Sequence, residues 1–139
     1  MVYKKITPNL IVDEVNATIE FYRTLLKFEL TMTVPGNDGN KDITWALMKR
    51  DDIEIMFQSR KSSVREIPIM EHKEAGGSLT LYIEMDNVAD LYESLQGKDV
   101  IIEELHSKPY GMREFSMQDC NGFVLTFAEK ADEKINEIE

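Results

Sequence analysis

Apolar and polar positions change period along this chain, and the changes come twice in the same order. Ile6–Val12 reads as an extended strand, with Pro8 near its start, where a missing N–H donor is tolerated on a sheet edge. Val15, Ile19, Tyr22 and Leu26 then fall at helical spacing, with Asn16 placed to cap that helix. Phe28–Val34 returns to a strand, and Pro35-Gly36-Asn37-Asp38-Gly39 is a loop by composition. Ile43–Lys49 and Ile53–Gln58 form a hairpin across Arg50-Asp51-Asp52. The order is βαβββ.

Ser59 to Gly77 breaks the pattern. It is polar and charged; Ile67, Ile69 and Met70 offer a short docked turn or helix, and Gly76-Gly77 ends it. The order then restarts with a strand at Leu79–Met85. Asn87 caps a helix that carries Val88, Leu91, Tyr92 and Leu95 on one face, and Gly97 stops it. Val100–Leu105 is the next strand. Met112–Met117 and Phe123–Phe127 close a hairpin, with turn chemistry in Gln118-Asp119-Cys120-Asn121-Gly122. Asn-Gly supplies left-handed backbone at little cost there, and Asp closes the turn with its own side chain. The two copies can be put in register: Ile11–Val15 lies over Glu84–Val88, and Asp51–Gln58 over Asn121–Ala128. An internal repeat of this kind is a fold-level signal. The expected layout is a single α+β domain over 1–139: module one 5–59, a linker 60–77, module two 78–129 and a charged tail 130–139. In that tail Ile135 and Ile138 offer little apolar surface for docking.

Charge narrows the partners. The 26 acidic residues against 16 basic ones leave a formal charge of −10. A net-negative surface without a basic patch argues against nucleic acid and anionic membrane, and Lys4-Lys5 and Arg60-Lys61 are too short to be one. It favours cationic small molecules instead. The single cysteine, Cys120, excludes an internal disulfide and points to the reducing cytoplasm; in a turn with no activating neighbour it reads as an incidental thiol. The opening residues MVYKKITPNLIV lack the apolar core and cleavage site of a signal peptide, and no run approaches the ~18 apolar residues of a membrane span.

The chain resembles the vicinal oxygen chelate superfamily, which holds glyoxalase I, bleomycin resistance proteins and extradiol dioxygenases. The resemblance is carried by ITPNLIVDEVNATIEFYRTLLKFEL, GGSLTLYIEMDNVADLYESL and YGMREFSMQDCNGFVLTF, and it covers most of residues 5–129. Its more specific part is Arg-Glu-Phe followed by Asp-x-x-Gly and an apolar strand. It implies two tandem βαβββ modules forming a curved mixed sheet around a cleft, and a homodimer, as in many members. Metal-using members place His or Gln on the first strand of each module and Glu on the fourth. The strand register puts Thr7, Met56, Thr80 and Thr126 at those positions. Hydroxyls and a thioether do not replace imidazole and carboxylate for a divalent metal. The expectation is therefore no metal and no other cofactor.

Period-two alternation places Thr80, Tyr82 and Glu84 on one sheet face. If that face lines the cleft, Glu84 is an acid with a raised pKa, suited to proton transfer or to pairing a cation; it is the expected catalytic residue of any reaction. The same alternation gives Thr7, Asn9 and Ile11 with Glu54, Met56 and Gln58 in module one, and Val124, Thr126 and Ala128 in module two. The third strand contributes Trp45 and Leu47 or, at the other parity, Thr44, Ala46 and Met48. Such a mixed lining suits a small-molecule pocket. Trp45 stacks on a ligand or packs in the core, and Tyr110, in a Pro-Tyr-Gly loop, is a lid or a plain turn. Met32, Met48, Met56, Met112 and Met117 serve an adaptable pocket or fill gaps in the core. The expected ligand contacts are Thr7, Asn9, Trp45, Leu47, Glu54, Met56, Thr80, Tyr82, Glu84, Tyr110 and Thr126.

Two functions from different classes follow. One is metal-free binding of a small, cationic, amphipathic molecule, as antibiotic-sequestering relatives do. The other is a metal-dependent lyase, isomerase or dioxygenase with a relocated site, for which His106 with Glu103 or Glu104 supplies donors; His72, the other histidine, lies in the linker. A structural or regulatory domain with an empty cleft is the third. No glycine-rich phosphate loop, Ser–His–acid arrangement or paired-cysteine zinc motif is present in the sequence.

Overall fold

The computed structural model describes residues 1–35 and 42–131. The chain divides into two compact units between Ala75 and Gly76. The segment 60–75 thus goes with the first unit.

In the first unit, β1 (Asn9–Val12), α1 (Val15–Leu26), β2 (Glu29–Pro35), β3 (Ile43–Arg50) and β4 (Ile53–Ser59) are followed by α2 (Arg60–Glu66) and a 3-10 turn at Pro68–His72. The sheet order is β1-β4-β3-β2, with β1 parallel to β4 and the other pairs antiparallel. Alternation sends Leu10, Val12, Ala46, Met48, Ile55 and Phe57 to one face, where they are buried with Val15, Ile19, Tyr22 and Leu26 of α1. Tyr22 anchors this core, its ring 4.7 Å from Phe57 and 5.7 Å from Phe28.

Three local expectations change here. β1 does not begin at Ile6, which is exposed; the Pro8 carbonyl still accepts from Met56 N–H (2.8 Å), but proline has no N–H to extend the ladder. Asn16 is not the cap of α1. Val15 is already in the core, so winding starts before Asn16, and its Oδ1 instead accepts from Ile43 N–H (2.9 Å), tying the helix start to β3. The other end has no glycine: Lys27 takes φ 59°, and Arg50 Nη1 donates to the Leu26 carbonyl (2.6 Å), a cation on the negative end of the helix. Thirdly, the short turn forms at Pro68–His72 but Ile67, just before it, and Ile69, within it, do not dock; both are exposed.

The second unit holds β5 (Thr80–Glu84), α3 (Val88–Ser94), β6 (Ile101–Ser107), β7 (Met112–Gln118) and β8 (Val124–Lys130), in sheet order β5-β8-β7-β6 with β5 parallel to β8. Its buried face is Ile83, Phe115, Met117, Leu125 and Phe127, covered by α3 through Val88, Tyr92 and Leu95. Phe115 lies 5.2 Å from Tyr92 and 5.5 Å from Phe127. Asn87 precedes α3 with φ 60° and makes no side-chain cap. Glu129 caps it instead: its carboxylate accepts from Asn87 N–H (2.8 Å) and Val88 N–H (3.2 Å).

The β7–β8 turn forms as its sequence predicts. Asp119 Oδ1 accepts from Asn121 N–H (2.8 Å) and Phe123 N–H (2.9 Å), and Gly122 supplies φ 90°. Gly76 packs against this turn; a Cβ there would lie 2.8 Å from the Asn121 carbonyl oxygen. β8 runs on through Lys130, and Ala131 N–H donates to the Gly111 carbonyl (2.9 Å), so the strand takes in the first residue of the expected tail. The expected loop at 36–39 and the tail positions Ile135 and Ile138 lie outside the described residues.

Candidate functional site

Each sheet buries one face under a helix, and the chemistry lies on the other. In the first unit that face carries Asn9 and Ile11 on β1, Met56 and Gln58 on β4, and Trp45 and Leu47 on β3, set side by side by the pairs Asn9–Met56, Leu47–Met56 and Trp45–Gln58. The open parity of β3 is thereby decided, since Ala46 and Met48 are in the core. Trp45, Leu47 and Met56 are half-buried. Gln58 is buried and fully engaged: its carbonyl accepts from Asn9 Nδ2 (2.9 Å), and its amide reaches Ser62 Oγ (3.0 Å) and Glu66 Oε2 (3.2 Å). Glu54 is not a free anion, because Lys5 binds it. The Lys5 hydrogen bond holds its carboxyl below the usual carboxylate range against a smaller desolvation effect, with help from the charges of Lys5 and Lys49.

The second sheet has a different character. Thr80, Tyr82 and Glu84 do share a face, as alternation predicts, next to Val124, Thr126 and Ala128 of β8 and then Glu114 and Ser116 of β7. Glu84 itself is exposed at the strand end. The buried carboxylate is Glu114, only 6% exposed. Tyr82 Oη donates to its Oε2 (2.8 Å) and Tyr110 Oη to its Oε1 (2.7 Å). Ala128 lies opposite Glu114 on β8, and its small side chain leaves room for the Tyr82 phenol to reach across from β5. One row away the Ser116 and Thr126 hydroxyls are 2.7 Å apart.

Desolvation at the hydroxyl end pushes Tyr82 up to about 12, followed by the Glu114 hydrogen bond and its negative charge. Tyr110 is raised first by its hydrogen bond to Glu114. Both residues are nonetheless exposed, Tyr82 at 53% and Tyr110 at 63%. Tyr110 is therefore a pinned loop residue. The loop is tied by Lys108 N–H to the Met112 carbonyl (2.7 Å) and Gly111 N–H to the Lys108 carbonyl (3.1 Å).

Glu114 had a sequence signal, an acid inside the apolar-rich strand Met112–Met117, but pattern alone gives it no partner. The methionines divide: Met48, Met112 and Met117 fill the core, Met56 lies on the open face, and Met32 is exposed on the edge strand β2. A separate cavity of about 930 Å³ lies at the start of α1, lined by Asp13, Glu14, Asn16, Arg60, Arg65 and Glu71 among others. None of the open-face residues lines it, and its charges offset one another, as in the Asp13–Arg60 pair at 3.2 Å.

A family model described as the Glyoxalase/Bleomycin resistance protein/Dioxygenase superfamily matches residues 6–127. The chain belongs to this superfamily. Solved structures agree on the fold. A glyoxalase/bleomycin resistance protein/dioxygenase from Nocardioides is 14% identical with a TM-score of 0.73, over 96% of this chain and 88% of that one. Lactoylglutathione lyase from Agrobacterium tumefaciens is 18% identical at 0.69, over 96% and 97%. TioX from Micromonospora sp. ML1 is 15% identical at 0.68, over 92% and 99%. No curated protein matches the chain.

Membership in the glyoxalase superfamily raises the question of which residues could hold a metal. Thr7 precedes β1, Met56 pairs with Asn9, Thr80 opens β5, and Thr126 pairs with Tyr82 and bonds Ser116. These are hydroxyl and thioether groups, and no imidazole or carboxylate stands at the four positions. His106 lies 3.3 Å from Glu103 through Nε2, and 2.7 Å from the Glu104 carbonyl through Nδ1. Lys108 shares the same Glu103 oxygen at 3.3 Å. Among the described residues no three His, Cys, Asp or Glu side chains gather to hold a metal ion. These residues do not fit one. Also among the described residues, no helix is long and apolar enough to cross a membrane.

Proposed function

We propose that this member of the glyoxalase superfamily binds a small, cationic, amphipathic molecule on its open sheet faces without a catalytic metal. It would act by sequestration, as an antibiotic-binding protein does, and work in the cytoplasm as a homodimer. The observation that carries this reading is the chemistry of the strand centres. Trp45, Leu47 and Met56 offer apolar contact in one unit, while Glu114 with Tyr82 and Tyr110 offers a buried anion in the other. A few placed polar groups on an apolar lining is what a small-molecule site requires. The formal charge of −10 favours a cation over an anion in the same place. Thr7, Asn9, Thr80, Glu84 and Thr126 complete the proposed contacts. Glu54 contributes through its Lys5 pair rather than as a free charge.

The test is Trp45 fluorescence, since this is the one tryptophan of the chain. Metal-stripped protein titrated with a panel of cationic glycopeptide and aromatic antibiotics should show a saturable change with at least one member. A flat response across the panel would remove the reading.

A further inference from the structure

We propose that Glu114, Tyr82 and Tyr110 form a receptor for an alkylated ammonium group, a compact cation without strong N–H donors; this rests on the binding reading above and names the chemistry of the charged end of the ligand.

Three observations support it. First, Glu114 is a buried carboxylate with no cationic partner: among the described residues no Lys, Arg or His side chain forms an ion pair with it. Its two bonds come from neutral phenols, which satisfy hydrogen bonding and leave the charge uncompensated. Lys108 pairs with Glu103, and the His106 ring, opposite Glu114 on β6, also turns to Glu103. Second, both oxygens of the 6% exposed carboxylate are taken by the phenols, while the two tyrosines are themselves more than half exposed. A primary ammonium gains most from direct contact with carboxylate oxygens. An alkylated ammonium is weakly hydrated and is held instead by ring faces and a nearby negative charge. Third, both hydroxyls are fixed on one carboxylate, so the rings are preorganised and little entropy is lost when a cation seats against them. Glu84 lies close enough to act on Tyr82, which adds negative potential at the rim.

The probe is benzyltrimethylammonium, with benzyl alcohol as its neutral counterpart, followed through the tyrosine ring resonances of the full chain. The cation should bind saturably and shift Tyr82 and Tyr110. Glu114→Gln keeps the shape and removes the charge, and should weaken binding about tenfold or more. Tyr82→Phe, which keeps the ring but loses the bond that fixes it on Glu114, should weaken binding by less than Tyr82→Leu, which should lose most of the affinity. The amide spectrum of each variant reports its fold, so a Glu114→Gln that fails to fold leaves the Tyr82→Phe and Tyr82→Leu pair to decide. Absence of binding, equal binding of benzyl alcohol, or unchanged affinity in folded Glu114→Gln or in Tyr82→Leu would overturn the proposal. Failure here with an antibiotic still altering Trp45 fluorescence would sink only the receptor; failure of both would take the binding reading with it.

Discussion

The two sheets are copies in topology and opposites in chemistry. Both pair the first strand of the unit in parallel with the fourth, and both use the same register: Asn9 lies against Met56 as Tyr82 lies against Thr126. Their helix-facing sides match in kind, Phe57 under Tyr22 in one and Phe115 under Tyr92 in the other. The open sides do not match. Where the first sheet has Trp45 opposite Gln58, the second has Glu114 opposite Ala128. Where the first has Leu47 opposite Met56, the second has two bonded hydroxyls, Ser116 and Thr126. A helix-covered face is held to apolar residues by the cost of burying anything else, so the repeat persists there. On the other face the buried polar groups, Gln58 in one unit and Glu114 in the other, are held by hydrogen bonds instead, and there the two copies diverge into an apolar half and an anionic half.

The covered faces are the place to break this comparison with the largest effect. Phe57→Ala and Phe115→Ala each remove a fully buried ring and should each cost about 3–5 kcal/mol in chemical denaturation. A large cost in one unit and a trivial one in the other would show that the cores are not equivalent. A smaller effect is expected at the turns, where the copies differ: a two-residue turn at Asp51-Asp52 in one and the Asp119 turn in the other. Asp119→Ala removes the carboxylate that accepts from Asn121 N–H and Phe123 N–H and should cost about 1–3 kcal/mol by the same measurement.

On the open faces the effects move titrations more than stability. Tyr82 is raised from 10 to about 12, so the folded state favours its neutral form. Its contribution to stability is complete below pH 10 and is lost as pH rises toward about 12. Tyrosinate absorbance should therefore show a late-ionising phenol, and Glu114→Gln should bring it down part of the way, since desolvation, the largest cause, remains. A Tyr82 that ionises at the ordinary value in the wild type would remove the Glu114 cluster as described.

The smallest effect belongs to Glu54. Its carboxyl is held below 4.5 by Lys5, so this pair contributes above that value and is lost as pH falls through the lowered pKa. Lys5→Met should return the Glu54 titration, followed by NMR, to the usual range with no measurable change in stability, as expected of an exposed pair.

Most of the architecture was legible in the chain because burial writes itself as period. The β3–β4 and β7–β8 hairpins follow from apolar runs joined by the Asp-Asp and Asn-Gly turns. Helix ends were less legible. Asn16 and Asn87 have the side chains of caps, but the core position of Val15 and the left-handed backbone of Asn87 gave the work to other groups, Glu129 in the second case. The site was legible as a face and illegible as a network. Alternation placed Tyr82, Thr80 and Glu84 together, yet which acid is buried depends on a bond across three strands and a loop. Tyr110 and Tyr82 meet at Glu114 only once β7 lies between β6 and β8.

In the proposed function Thr7, Met56, Thr80 and Thr126 serve metal-free binding rather than metal ligation. Calorimetric titration of metal-stripped protein with Zn²⁺, Ni²⁺, Mn²⁺ and, without oxygen, Fe²⁺ tests it most directly. The account predicts no binding heat for any of the four ions, because Thr7, Met56, Thr80 and Thr126 offer no imidazole or carboxylate. Tight binding of one ion per chain would contradict it and return the protein to the metal-dependent enzymes of its superfamily.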